Sequence, residues 1–133
     1  MATQYSVATR TAQMSQLNTI IGINAQIRLF SGVAPATVDT ATSGTLLVSF
    51  AGNATAFGAA ASGVLTASAV AGVNAAAAGT AGYYRINTTA GVAVTQGTIT
   101  ATGGGGDMTL TNTNIAAGQA CTFTSLTITA FGA

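Results

Sequence analysis

Histidine, lysine, glutamate and tryptophan are absent from this chain, and cysteine and proline occur once each. Each absence removes a class of chemistry. Metal centres are built from imidazole, thiolate and carboxylate groups. Here only Cys121 and two distant aspartates could serve, so no metal site is expected. A serine or cysteine nucleophile needs a neighbouring base, and no histidine, lysine or glutamate exists to be one. Paired carboxylate catalysis would require Asp39 and Asp107 to meet, and nothing in their surroundings suggests that they do. The chain therefore reads as non-enzymatic, with no catalytic residue and no cofactor. A single cysteine forms no internal disulfide. Cys121, between Ala120 and Thr122, reads as a small buried apolar residue.

Charge is nearly missing as well. Arg10, Arg28, Arg85, Asp39 and Asp107 are the only ionised side chains, for a net charge of +1. Nucleic acid is bound through clustered cations, and three scattered arginines form no such patch, so no nucleic-acid partner is expected. A membrane-spanning helix needs about 20 consecutive apolar residues. The longest small-residue runs are alanine and glycine, so no membrane partner is expected either. The N-terminus lacks the basic stretch and apolar run of a secretory signal, which implies synthesis in the cytoplasm. Water must be met by threonine, serine, asparagine and glutamine. With so little repulsion between copies, association is favoured.

What is present is a series of short extended segments. The central one covers residues 81–99: a strand at 83–87, a turn at Ala90-Gly91, and a second strand at 92–96. Strand alternation puts Tyr84 and Ile86 on one face and Tyr83 and Arg85 on the other. Tyr84 reads as a core anchor. Tyr83 and Arg85 suit either of two roles: covering their own face, or touching a neighbouring chain, where tyrosine and arginine dominate hot spots. Arg10 and Arg28 join them as candidate interface residues.

Residues 4–21 carry a helical stripe of Val7, Met14, Leu17 and Ile21, with Thr11 between. Ser6 is placed to cap it and Gly22 to end it. Residues 1–22 thus form an N-terminal helix or arm, packed on its own sheet or on a neighbour, and 23–133 form the β-domain. At 24–30 the period becomes two, with Ile27 and Leu29 opposite Arg28 and Phe30. Residues 31–43 form a loop around Pro35. Further strands are read at 45–50, 63–71, 98–102 and 108–111, with a break at Gly52-Asn53. A long last strand, 121–131, puts Leu126 and Ile128 opposite Phe123 and Phe131. The run Gly103–Gly106 is a turn; a phosphate loop would continue with lysine, whereas Asp107-Met108 follow. The expected fold is all-β: a β-sandwich or small jelly roll of about six to eight antiparallel strands with one N-terminal helix.

Four blocks, in order, resemble a group of small structural proteins of tailed bacteriophages and prophages. The first is Ile27-Arg28-Leu29-Phe30-Ser31-Gly32 with Ala34-Pro35-Ala36-Thr37 and Gly44-Thr45-Leu46-Leu47. The second is Phe57-Gly58-Ala59-Ala60 with Gly63-Val64-Leu65-Thr66. The third is Gly79-Thr80-Ala81-Gly82-Tyr83-Tyr84-Arg85-Ile86 with Ala90-Gly91-Val92-Ala93-Val94. The fourth runs from Asp107-Met108-Thr109-Leu110 through Ala117-Gly118-Gln119 to Phe123-Thr124-Ser125-Leu126-Thr127-Ile128-Thr129. Two positions depart from the pattern: Ser31 and Gln96 stand where it has aspartate.

The resemblance implies a virion component without enzymatic activity, made in the host cytoplasm. Its first reading is a capsid decoration (cement) protein, a homotrimer that stabilises the head shell by bridging capsomers of the major capsid protein. The alternative is a tail, baseplate or fibre-associated structural or adhesion protein that contacts host glycans.

Overall fold

The computed structural model describes residues 3–50, 57–67 and 72–132. The chain opens with one helix, α1 (Val7–Ile21), whose ends are set as the sequence suggests. Ser6 Oγ accepts the Thr9 N–H at 3.1 Å, and Gly22, at φ 73°, returns its N–H to the Asn18 carbonyl at 3.1 Å. Met14 and Ile21 are buried and Leu17 packs beside them. Val7, expected in the same stripe, is 53% exposed; residues 3–9 are all exposed, so the first turn extends past the body it packs on. Farther along, the Thr11 hydroxyl accepts the Gly63 N–H at 2.9 Å and Asn18 donates to the Gly58 carbonyl at 3.3 Å. The helix therefore lies on its own chain.

The strands that follow are β1 (Gln26–Ser31), β2 (Leu46–Phe50), β3 (Val64–Thr66), β4 (Val73–Asn74), β5 (Gly79–Asn87), β6 (Ala93–Ala101), β7 (Met108–Leu110), β8 (Asn114–Ile115), β9 (Ala120–Cys121) and β10 (Ser125–Thr129). The large sheet runs β2-β1-β5-β6-β7-β10-β3, with β8 added to β5, while β4 and β9 pair separately. The fold is all-β and sandwich-like with one N-terminal helix, as expected. The tail of the anticipated 63–71 strand (68–71) and the Gly52-Asn53 break lie outside the described residues.

Two features differ from the expectation. The long last strand is split. Cys121 pairs with Val73 in the small sheet, whereas 125–129 pair with β7 and β3. Between them Phe123 turns to meet Phe50 edge-on, ring centroids 5.4 Å apart. An aromatic contact thus takes the place of continued strand pairing.

The second difference is that β6 and β7 are parallel, with Ile99 opposite Met108 and Ala101 opposite Leu110. Parallel neighbours ordinarily need a crossover of a dozen residues or more, yet only residues 102–107 make this return. The glycine run makes it feasible. Gly103 and Gly105 take φ of 89° and 82°, a region costly for residues with a Cβ. A Cβ on Gly104 would stand 2.8 Å from Thr100 Cβ, and one on Gly106 3.0 Å from the Thr100 backbone nitrogen. The turn closes with the Gly106 N–H on Thr100 Oγ1 at 3.0 Å and the Thr102 N–H on the Leu110 carbonyl at 2.9 Å.

The core is unequal on the two faces of β1 and β5. One face carries Ile27, Leu29, Tyr84 and Ile86 into the main cluster with Val48, Phe50, Leu65, Met108 and Leu126. The other carries Phe30 and Tyr83, stacked at 5.1 Å and 13°. From Tyr83 to Asn87 every residue of β5 is buried. Fully burying an aromatic or aliphatic side chain is worth about 1.5–3 kcal/mol, so this stretch concentrates stabilisation as no exposed edge can. Gly104→Ala and Gly106→Ala should each lower unfolding stability in urea by about 1–3 kcal/mol through overpacking against Thr100. Unchanged midpoints for both would show that the return tolerates side chains.

Candidate functional site

Alternation along two neighbouring strands assembles the most polar buried layer of the described chain. Gln26, Arg28 and Phe30 of β1 stand directly opposite Asn87, Arg85 and Tyr83 of β5. These six side chains share the face turned away from the main core. The 32–45 loop, which joins β1 to β2, lies over it and is held by three of its neighbours. The Tyr83 hydroxyl donates to the Ser43 carbonyl at 2.7 Å and accepts the Ser43 N–H at 3.0 Å. Arg85 donates through Nη1 to the Thr40 carbonyl and through Nη2 to Gln96 Oε1, both at 2.8 Å. Gln96, on β6, passes the link on, donating through Nε2 to the Pro35 carbonyl at 2.8 Å. Gln96 thus serves the loop, as does Ser31, whose Oγ accepts the Thr45 N–H at 2.9 Å.

Arg85 is only 4% exposed, and its two hydrogen bonds go to a backbone carbonyl and an amide oxygen. Like charges directly opposite across strands are unfavourable, and an unpaired buried charge more so. Four buried polar atoms of this layer have no hydrogen-bond partner: Gln26 Oε1, Arg28 Nε, Arg85 Nε and Asn87 Oδ1. They come from two directly opposed residue pairs.

A second feature lies on the other face. Met14, Leu17, Tyr84, Val94, Asp107 and Phe131 line a cleft of about 390 Å³. Gly97 sets its polar corner: a Cβ there would stand 2.6 Å from both the Tyr84 hydroxyl and Asp107 Oδ2. Burial pushes the Tyr84 phenol well above the usual tyrosine range, and the negative charge of Asp107 pushes it further. Burial likewise raises the Cys121 thiol, which leaves little of the reactive thiolate at neutral pH. The Tyr84–Asp107 approach escaped the sequence reading, because it depends on the parallel return after β6. A glycine inside a strand, here Gly97, was the signal for such a close approach.

The structure brings Tyr83, Arg85 and Arg28 together but places Arg10 elsewhere, with its Nε on the Tyr5 carbonyl at 3.3 Å and its side chain beside Gly63. The chain's own 32–45 loop covers Tyr83 and Arg85, which are 0% and 4% exposed. Arg28 is half-buried and reaches the surface. Among the described residues there is no group of three or more histidine, cysteine, aspartate or glutamate side chains, and no helix is long and apolar enough to cross a membrane. No protein-family model matches the chain, and neither does any curated protein or solved structure.

Tyr83→Phe should keep the ring stack and lose both hydroxyl bonds to Ser43. The expected cost is about 1 kcal/mol, with faster proteolysis within 32–45 as the specific readout. Ultraviolet titration should find Tyr84 still protonated when exposed tyrosine has ionised. Because its folded-state value is raised, the stability linked to this phenol is fully present below about pH 10, the unfolded value. It is lost as the pH rises beyond that. Tyr84→Phe should flatten this alkaline loss; an equally steep loss in the variant would assign it elsewhere.

Proposed function

We propose that this chain is a non-enzymatic structural protein of a phage virion, and specifically a decoration protein that bridges neighbouring capsomers on the head shell. The observation that carries this reading is the placement of exposed apolar residues on a surface with almost no charge. Ile23, at 64% exposure, precedes β1, and Val92, at 62%, lies in the β5–β6 turn. The pairing of Gln26 with Asn87 puts these two at the same end of the sheet. Val33, at 85%, follows β1 at its opposite end. Apolar contact points at both ends of one rigid strand pair suit a module that joins two neighbours. With Arg85 withdrawn beneath the loop, little charge is left to oppose close packing.

Each contact is weak, and the effect comes from number. Many copies on a closed shell multiply small apolar contributions through effective concentration. The ordered resemblance of four segments to small phage structural proteins supports the same reading, as does the lack of a nucleophile–base pair. Self-association into a trimer is part of the proposal.

Quantitative mass spectrometry of purified virions should find this chain at a copy number comparable to that of the major capsid protein, and shells lacking it should open at lower temperature. A few copies per particle, located at one vertex, would sink the decoration role and favour the tail.

A further inference from the structure

We infer that Arg28 and Arg85 form a binding site for one carboxylate group, supplied from outside the described chain. The two arginines are directly opposed on β1 and β5, which places their Cβ atoms about 5 Å apart on one face. Arg85 places one hydrogen bond from each terminal nitrogen, on the loop and on Gln96, while its buried Nε has no partner. It is more than nine-tenths buried. Arg28 makes no side-chain hydrogen bond to the described residues, and its Nε is also buried and unpartnered. The opposed pair therefore holds two buried donors unmet on one face. A carboxylate offers acceptors to both Nε–H groups at once and neutralises the repulsion between the cations.

The neighbouring pair, Gln26 and Asn87, leaves two buried acceptors unmet. It lies two residues along the strands, about 7 Å from the arginine pair. A ligand that carries a hydroxyl or amide donor at that distance from its carboxylate would satisfy both rows. Arg28, half-buried, is the member of the arginine pair that meets solvent. Two sources offer this chemistry: a sugar acid and the side chain of an acidic residue on another protein. The inference does not depend on what the chain assembles with.

The test uses sodium glucuronate and N-acetylglutamate amide as probes, against sodium chloride at equal ionic strength. Arginine Nε–H resonances are followed by NMR in the intact chain. Both the Arg28 and Arg85 signals should move saturably with at least one carboxylate, and the Arg10 signal should not. The probe that binds more tightly identifies the source. Arg28→Gln should weaken binding about tenfold or more, while Arg10→Gln, which removes the same charge, should leave it unchanged. The proposal is overturned if neither carboxylate moves the two signals, if chloride moves them equally, or if Arg10→Gln weakens binding as much as Arg28→Gln. The resonance readout needs no variant, so a poorly folding Arg28→Gln leaves the test intact.

Discussion

The structure depends on β5 being buried on both faces. One face is buried in the usual way, with Tyr84 and Ile86 in the main cluster. The other would be open were it not for the 32–45 loop, and that loop has almost no apolar bulk to hold it. It is held by polar groups rising from the strands beneath: the Tyr83 hydroxyl, the Arg85 guanidinium and the Gln96 amide. Arginine suits this task because its planar fork presents several donors in fixed directions. One side chain thereby ties the loop to β6 as well as covering β5. The stack of Phe30 on Tyr83 forms a small second core beneath the same loop.

This arrangement has an electrostatic consequence. A chain with five ionised side chains places one of its three cations inside, opposite a second. Desolvation of an ion is unfavourable unless hydrogen bonds and counter-charge offset it. Arg85 has the hydrogen bonds, and their acceptors are neutral. Elsewhere the chain meets its polar needs with neutral hydroxyls. Thr109 Oγ1 lies 2.7 Å from both Thr124 Oγ1 and Ser125 Oγ, and Thr124 Oγ1 lies 3.2 Å from Thr102 Oγ1. Such a ladder links the turn after β6 to β7 and β10 without any charge. The contrast sets the arginine layer apart from this uncharged part of the sheet.

Much of the fold could be read from local pattern. Alternation at Ile27–Phe30 and Tyr83–Ile86 assigned each residue to its proper face, and Ser6 and Gly22 marked the helix ends. These features rest on backbone geometry and capping, which neighbours in sequence control. The split of the last strand was not legible, because Phe123 leaves the ladder to meet Phe50, a residue far away in sequence. The parallel β6–β7 pair was equally hidden, although the glycine run that permits it was conspicuous. A glycine run says that the chain can turn sharply; it does not say which way the chain then runs.

The sequence by itself determined the β-rich character, the capped N-terminal helix, the absence of histidine, lysine and glutamate and the two-faced alternation of the central hairpin. Composition and period decide these. Only the tertiary structure decided what Tyr83 and Arg85 face. Their strand position assigns them a side of the sheet, but whether that side meets water, another chain or a loop depends on where residues 32–45 go. That path is set by hydrogen bonds between groups some forty or more residues apart. The same long-range closure brings Arg28 opposite Arg85, a juxtaposition that strand register creates and no local pattern announces.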